Sequence, residues 1–264
     1  MKRVIATTVT AFLLLIPAVH AENISESLTT RSGFELGAQI SSYRYEEPDV
    51  NVALWGPKYA IVAAYTYAEP GKDVFIRFDV RHADGKLKYE GSGTKNNVPD
   101  TIDEFRLVFG GDAYISHRVS VTPYFGFGYR HLANDLRGTT STGAIGYRRD
   151  SYYRYIPVGA TFHIEIGNGW VIAPTAEYDH FLGGKQISRL SDTGLGFSDA
   201  SNTQNDGFGY RLSVLLERGP FAFGPWMHYW KIKDSDIVPI GMGFGGQEPA
   251  NWTREFGVEF KYRF

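Results

Sequence analysis

The chain of 264 residues contains no cysteine. Disulfide bonds, a thiol nucleophile and a lipid anchor on cysteine are therefore excluded. After the first 21 residues, no stretch approaches the roughly 20 apolar residues that a membrane-spanning helix needs. The charge has no basic excess, because 27 Lys and Arg residues face 29 Asp and Glu residues. The sequence therefore predicts no α-helical membrane domain and no nucleic acid as a partner.

The N-terminus has the pattern of a secretory signal peptide. Lys2 and Arg3 precede an apolar run over residues 4–16, and small residues from Ala18 to Ala21 follow Pro17. This order of basic, apolar and small-residue regions predicts residues 1–21 as a signal peptide, cleaved after Ala21. Cleavage would leave 264 − 21 = 243 residues with a formal charge of 25 − 29 = −4. That length fits one all-β domain or two small ones.

What the chain has in abundance is aromatic residues, at 15%, and 30 glycines, a composition that favours strands and turns. Apolar and polar residues alternate with a period of two, which is typical of a strand with one apolar face. Ten segments are predicted as strands, near residues 34–45, 58–67, 74–81, 102–113, 119–131, 152–164, 170–181, 208–217, 221–232 and 254–264. The ninth segment is apolar on both faces, so its orientation stays open.

The connections between these segments alternate strictly in length. Four are short and contain turn residues, such as the sequences AEPGKD and GNG, and five are long and polar. Every short link then lies at one end of the sheet and every long link at the other. This asymmetry, an even strand number and a closed sheet are typical of transmembrane β-barrels. The terminal aromatic residues of the strands are predicted to form interfacial girdles, at Tyr43, Tyr45, Trp55, Tyr152, Tyr153, Trp170, Tyr229, Trp230 and Trp252.

Together with the last segment, VEFKYRF, these patterns resemble the small bacterial outer-membrane β-barrel proteins, over the whole mature chain. The resemblance implies an all-β, antiparallel up-and-down barrel of about ten strands, with short periplasmic turns and long extracellular loops. Residues 22–32 would form a short periplasmic segment and residues 33–264 the barrel. It also implies that Phe260, Tyr262 and Phe264 are the signal that the barrel-assembly machinery reads. Outer-membrane lipid or lipopolysaccharide and an unknown extracellular ligand would be further partners.

The polar faces of the strands predict a charged interior. The side chains expected to face the lumen are Arg77, Asp79, Arg81, Glu104, Arg106, Arg130, Glu177, Asp179, Arg211, Glu217, Glu255, Glu259 and Lys261. Both signs are nearly balanced, and a ten-stranded barrel is close to the size that side chains fill. The sequence favours a lumen closed by ion pairs, and a narrow channel for small solutes is the alternative.

An enzyme is a further alternative, because ten strands also resemble the omptin surface proteases. Omptins use paired Asp residues and an Asp–His pair on the extracellular rim. Asp179 and His180 are adjacent in a predicted strand and must point to opposite faces. His82, His131 and His228 lie near strand ends, and no serine has a nucleophile-elbow pattern. A lipid-modifying hydrolase would need a His-x-Ser strand motif, which is missing. The sequence therefore predicts no enzyme.

Metal and cofactor sites have no support in the sequence. Asp234 and Asp236, or Asp192, Asp199 and Asp206, could bind Ca²⁺ in loops, but they match no EF-hand spacing and are expected to be solvated loop carboxylates. The glycine-rich segment at residues 241–247 lacks the strand-to-helix context of a nucleotide loop and is predicted to be a surface loop. We therefore expect an outer-membrane barrel without cofactor, acting as a structural or interaction protein through its loops.

Overall fold

The computed structural model describes residues 26–264, so the predicted signal peptide and residues 22–25 lie outside the described part of the chain. Ten long strands form the body of the molecule. They are β1 (Gly33–Glu47), β2 (Val52–Ala68), β3 (Val74–Gly91), β4 (Gly93–Gly111), β6 (Val119–Thr139), β7 (Ile145–Gly167), β8 (Trp170–Ser188), β10 (Gly207–Arg218), β11 (Phe221–Ile232) and β14 (Asn251–Arg263). The predicted all-β fold of ten strands is confirmed.

The ten strands close into an antiparallel barrel. Each strand pairs with the next in the chain, β8 pairs with β10, and β14 returns to pair with β1. The last pairing joins Leu36 to Tyr262 and Glu46 to Trp252, so it extends over most of both strands. Closure satisfies the backbone groups that an open sheet edge would leave exposed.

Four short strands and three turns of 3₁₀ helix lie at the two ends of the barrel. They are β5 (Ala113–Ser116), β9 (Ala200–Gln204), β12 (Ile237–Gly241) and β13 (Phe244–Gln247), with 3₁₀ turns at Glu26–Leu28, Pro48–Val50 and Leu190–Thr193. We call the end with the four short links and the N-terminal segment the turn end, and the other the loop end. Within residues 26–264, no helix is long and apolar enough to cross a bilayer.

The strands extend further toward the loop end than the sequence predicts. Residues 83–99 form the continuous hairpin of β3 and β4, which turns at Ser92. In the same way, most of residues 132–149 belong to β6 and β7. The sequence predicts loops here because the outward residues of these stretches are polar. The alternation of outward apolar and inward polar residues that marks the other strands is therefore not visible. Only residues 189–206 and 233–250 form long connections outside the barrel strands.

Side-chain orientation follows the alternation, and it settles the ninth segment. In β11, Phe221 and Phe223 point outward, whereas Trp226 and Trp230 are buried inside. The same strand therefore has apolar residues on both faces because one face meets a packed interior. The predicted aromatic girdle was wrong for Tyr43, Tyr153 and Trp230, which are buried in the lumen. It was also wrong for Tyr45, whose hydroxyl donates a hydrogen bond to Glu47 inside the barrel opening at the loop end, which we call the mouth. Position near a strand end does not tell which face a residue occupies.

Candidate functional site

The charged residues predicted for the lumen all lie inside the barrel. Ten of the thirteen line a common cavity, namely Arg77, Asp79, Arg81, Glu104, Arg106, Glu177, Arg211, Glu217, Glu259 and Lys261. The other three form ion pairs with members of that set: Arg130 with Glu104 at 3.8 Å, Asp179 with Arg211 at 2.8 Å, and Glu255 with Arg81 at 2.5 Å. The structure therefore brings the whole set together.

Arg211 is the centre of this interior network. Its guanidinium donates to Asp179 at 2.8 Å and to Glu104 at 2.7 Å, and Tyr155 accepts a third bond at 2.9 Å. These partners belong to β8, β4 and β7, so a single side chain of β10 joins strands on different sides of the barrel. Such charge-assisted bonds are stronger than neutral ones and fix the geometry of the groups they join.

Further pairs connect strands that are not neighbours. Arg81 of β3 donates to Glu255 of β14 at 2.5 Å and to the Gln39 side chain at 2.8 Å. Arg106 of β4 donates to Glu177 of β8. The interior charges therefore act as cross-braces rather than as a free lining.

The sequence prediction missed several interior charges, among them Glu35, Arg263, Lys58 and Asp100. Glu35 accepts bonds from Arg77 and Arg263 near the turn end, and Lys58 pairs with Asp100 at 2.6 Å farther inside. Glu35 and Arg263 lie on the inward faces of strands that were predicted, so the alternation alone could have identified them. Asp100 was assigned to a loop, and nothing in the sequence pairs it with Lys58.

A cavity of about 330 Å³ lies in the half of the lumen nearer the turn end. Its lining combines the charged set with turn-end residues, among them Gly169 and Pro220. The N-terminal segment crosses this end. Leu28 is fully buried, Ser120 donates to its carbonyl oxygen at 2.8 Å, and Thr30 donates through its backbone and hydroxyl groups to Asp112.

The half of the lumen nearer the loop end is filled by apolar side chains. This apolar plug consists of Tyr43, Leu54, Ala60, Ala83, Leu87, Tyr89, Val98, Ile102, Leu132, Leu136, Tyr153, Tyr155, Phe181, Trp230 and Ile232. The rings of Tyr155 and Trp230 meet edge to face, with centroids 5.0 Å apart. A packed apolar core of this kind leaves few voids large enough for water.

Two glycines make room for these rings. A Cβ atom on Gly128 would lie 2.0 Å from the Tyr155 ring, and one on Gly209 would lie 2.8 Å from Trp230. Each glycine is the cross-strand partner of the aromatic residue it accommodates. At these two positions a glycine and its aromatic cross-strand partner together fill the lumen.

Above the plug, a cluster of charges closes the mouth of the barrel. Arg149 of β7 donates to Glu47 of β1 and to Glu248, and the Tyr45 hydroxyl donates to Glu47 at 2.6 Å. Burial raises the pKa of the Glu248 carboxyl, Arg149 opposes the rise and Glu47 adds to it. One guanidinium thus serves two buried carboxylates. The cluster attaches the connection 233–250 to the barrel wall.

An exposed apolar surface forms the outermost part of the loop end, where the β12–β13 hairpin contacts the connection 189–206. We call this surface the apolar tip and define it by Leu195, Phe197, Ile237, Met242 and Phe244. Four of these side chains are 56–68% exposed, and the Phe197 and Phe244 rings lie 6.1 Å apart. The glycine-rich segment 241–247 is part of this hairpin.

The loop aspartates are occupied by local partners. Asp192 pairs with Arg148, Asp206 with Lys233, and Asp199 accepts from Ser191, while Asp234 and Asp236 accept backbone N–H groups. The Arg148 guanidinium lowers the pKa of Asp192 to about 2. In residues 26–264, no group of three or more His, Asp or Glu residues could hold a metal ion.

Among the histidines of residues 26–264, none pairs with a carboxylate inside the mouth. Asp179 is buried in the lumen, whereas His180 is exposed on the outer wall. His82 contacts Asp103 at 2.6 Å, and His131 contacts Asp150 at 3.3 Å, both on the outward faces of their strands. His228 is interior, beside the charged network.

Comparisons with known proteins support the architecture. No family model matches the sequence, and no curated protein matches it. The outer membrane protease OmpT from Escherichia coli is similar in structure, with a TM-score of 0.56 and 11% identity over 90% of this chain and 100% of that one. Neisserial surface protein A (NspA) gives a TM-score of 0.39 at 12% identity, over 88% of this chain and 98% of that one. The strand pairing and the similarity to OmpT show that the chain has the closed-barrel fold of outer-membrane β-barrel proteins.

Proposed function

We propose that this chain is an integral outer-membrane β-barrel with a closed lumen, and that it acts as a structural or interaction protein through its loop-end surface. The observation that carries the proposal is the apolar plug. Its side chains come from β1, β2, β3, β4, β6, β7, β8 and β11 and pack together at the height of Tyr155 and Trp230, and they leave no place there for a hydrated solute. Function is then a property of the exposed surfaces.

The outer wall supports a membrane location. Apolar side chains stand outward on all ten barrel strands and form what we call the apolar belt, while the charged strand residues at that height stand inside. Examples are Ile40, Ile61, Phe127, Val158 and Phe256, which are 51–64% exposed. An apolar surface that encircles a molecule is far larger than the patches soluble monomers expose, and lipid is the solvent that suits it.

The proposal includes an orientation. With the loop end outside the cell, the turn end and the N-terminal segment lie in the periplasm, after removal of residues 1–21. Phe260, Tyr262 and Phe264 would then lie near the periplasmic rim, where the barrel-assembly machinery would read them. Outer-membrane lipid contacts the wall, and the extracellular ligand contacts the loop end.

A surface hydrolase is less well supported, although one similar structure is a protease. Among the described residues, the His–carboxylate contacts of His82 and His131 lie on the outer wall, and the mouth holds Glu47, Arg149 and Glu248 instead. Catalysis by a general acid and base needs such a pair within reach of a bound substrate. A channel for small solutes is less well supported because of the plug.

The apolar tip is the part of the loop end best suited to contact a partner, since exposed apolar patches mark interaction sites. We expect bacteria that display the wild-type barrel to adhere to epithelial-cell layers or to one another more than bacteria with the variant Met242→Ser/Phe244→Ser. Val50→Ser is the matched control, because Val50 is a 49% exposed apolar residue at the same end but outside the tip. Equal adhesion by wild type, tip variant and cells without the barrel would contradict the interaction role.

A further inference from the structure

Five strands of the outer wall carry one row of cationic and aromatic residues. The row runs Tyr229 on β11, Arg254 on β14, Arg44 on β1, Trp55 on β2 and Lys88 on β3, and each residue is the direct cross-strand partner of the next. All five face outward. The register of four consecutive strand pairs therefore builds a continuous stripe.

The centre of this stripe places two arginines directly opposite each other. Like charges at opposed cross-strand positions destabilise a sheet. Arg44 pairs with Glu46, but no carboxylate of the described residues lies within salt-bridge distance of Arg254. Lys231 adds a third cation, opposite Trp252 on the neighbouring strand. Among the described residues of this part of the wall, the four outward cations Arg44, Arg254, Lys231 and Lys88 outnumber the two outward carboxylates Glu46 and Glu90, so the stripe has a net positive charge.

Indole rings hold the two guanidinium groups against the wall. Arg44 lies over Trp55 with its guanidinium carbon 5.5 Å from the ring centroid, and Arg254 lies over Trp252 at 5.9 Å. Stacking on an aromatic face restricts the side chain and leaves the N–H groups at the edge of the guanidinium available. The Nε and one Nη group of Arg44 bond to Glu46, so Arg44 offers a phosphate its remaining Nη group, whereas Arg254 has no such carboxylate among the described residues and can bind phosphate oxygens in bidentate fashion.

The position of the stripe along the barrel axis indicates which kind of molecule carries the phosphate. On β11, β14, β1 and β2, the outward residues four positions nearer the turn end than the stripe are Pro225, Val258, Ile40 and Tyr59. These residues belong to the apolar belt. The stripe thus borders the belt at the loop end, the level at which lipid headgroups meet a membrane protein. This step rests on the proposed membrane location.

We propose that Arg44, Arg254 and Lys231, supported by Trp55 and Trp252, form a binding site for the phosphate groups of a phosphorylated lipid of the outer leaflet. The site occupies one side of the barrel. On the wall made by β4, β6 and β7, the outward residues of the loop end include Asp103 and Asp150 beside histidines, which do not suit an anion.

The test is native mass spectrometry of the folded barrel in non-ionic detergent. The probes are the diphosphorylated, acylated disaccharide that anchors lipopolysaccharide and its dephosphorylated form. We expect wild type to retain the phosphorylated lipid at least about tenfold more than the dephosphorylated lipid, and Arg44→Gln/Arg254→Gln to retain both equally. Arg154→Gln/Lys185→Gln, which removes two outward cations from β7 and β8, is the control and should behave as wild type.

Other outcomes overturn the site. Equal retention of the two lipids by wild type, or equal loss in both double variants, would leave only non-specific attraction. Displacement of the lipid by millimolar inorganic phosphate would indicate a site for free anions instead. Barrel formation is monitored separately by heat-modifiable migration in SDS gels. A folded barrel without phosphate preference refutes this site alone, whereas a chain that stays soluble without detergent refutes the membrane proposal.

Discussion

Lys58 is a fully buried cation inside the apolar plug. Its ammonium group lies 2.6 Å from an Asp100 carboxylate oxygen, donates to the Asp100 backbone carbonyl at 2.7 Å and lies 4.8 Å from the Tyr43 ring centroid. Burying one charge alone is costly, and the attraction between two buried charges offsets this cost only when their geometry is good. The contribution of each charge to the stability of the fold therefore depends on the presence of its partner.

Removing one member of this pair should lower the free energy of unfolding much more than removing both. We expect Lys58→Met to lower the free energy of unfolding by about 3–5 kcal/mol, because the buried Asp100 carboxylate loses its counter-ion. Lys58→Met/Asp100→Leu should recover most of this loss. Urea titrations in detergent micelles, followed by gel mobility, measure both. A double variant as unstable as the single one would contradict the uncompensated-charge explanation.

The same residue marks the limit of sequence reading at this scale. Alternation places Lys58 on the face shared by Ala60 and Ala64, which is the inward face of β2. It does not reveal Asp100, 42 residues away on β4, since β3 separates the two strands. For the thirteen lumen charges the face was readable in the same way, but which cation meets which carboxylate depends on barrel closure and stagger.

At the scale of elements, the strands consist of two parts with different surroundings. The parts near the turn end carry apolar residues outward, and their period of two identified them. The parts near the loop end carry polar residues outward, such as Lys86 and Lys88 on β3, and apolar residues inward, such as Leu87 and Tyr89. Their alternation is reversed, so they did not fit the pattern of an outward apolar face.

The connection 233–250 depends on the buried carboxyl of Glu248. Its pKa is raised above the ordinary value of about 4.3, so the folded connection binds the proton more tightly than the unfolded one. The resulting stabilisation is fully present at acidic pH and is lost as the pH rises through the raised pKa. The docking of this connection on the barrel should therefore weaken toward alkaline pH, because burial and Glu47 disfavour the charged carboxylate more than Arg149 favours it.

Proteolysis can measure this change locally. We expect proteinase K to cleave the connection 233–250 of wild type at about the same rate as that of Glu248→Gln at acidic pH, and faster at alkaline pH. Taking the ratio of the two rates at each pH cancels the pH dependence of the protease. Asp49→Asn changes an exposed carboxyl on the β1–β2 turn and is the control. The ratio of the wild-type rate to the Asp49→Asn rate should not change with pH. A wild-type to Glu248→Gln ratio that does not change with pH would refute the role of this carboxyl.

At the scale of the whole molecule, the lumen is two compartments in series. The compartment at the turn end is a charged cavity, and the one at the loop end is the apolar plug. Ion flow through compartments in series is limited by the more closed one, which here is the plug. The cavity alone therefore does not make the barrel a channel, and enlarging it should not change conductance.

Reconstitution in planar bilayers tests this arrangement. We expect wild type to give no steady openings, because ions would have to pass fully buried Tyr155 and Trp230 without water. Tyr155→Ala/Trp230→Ala should give measurable, steady conductance, since it removes two rings of the plug that meet edge to face. Glu217→Ala, which widens the cavity only, is the matched control and should stay closed. Each large-to-small change in the plug costs about 3–5 kcal/mol, so heat-modifiable migration must first establish that the double variant is folded. Steady, ion-selective openings of the wild type would refute the closed lumen, and a folded double variant that stays closed would move the barrier from the plug to the N-terminal segment around Leu28.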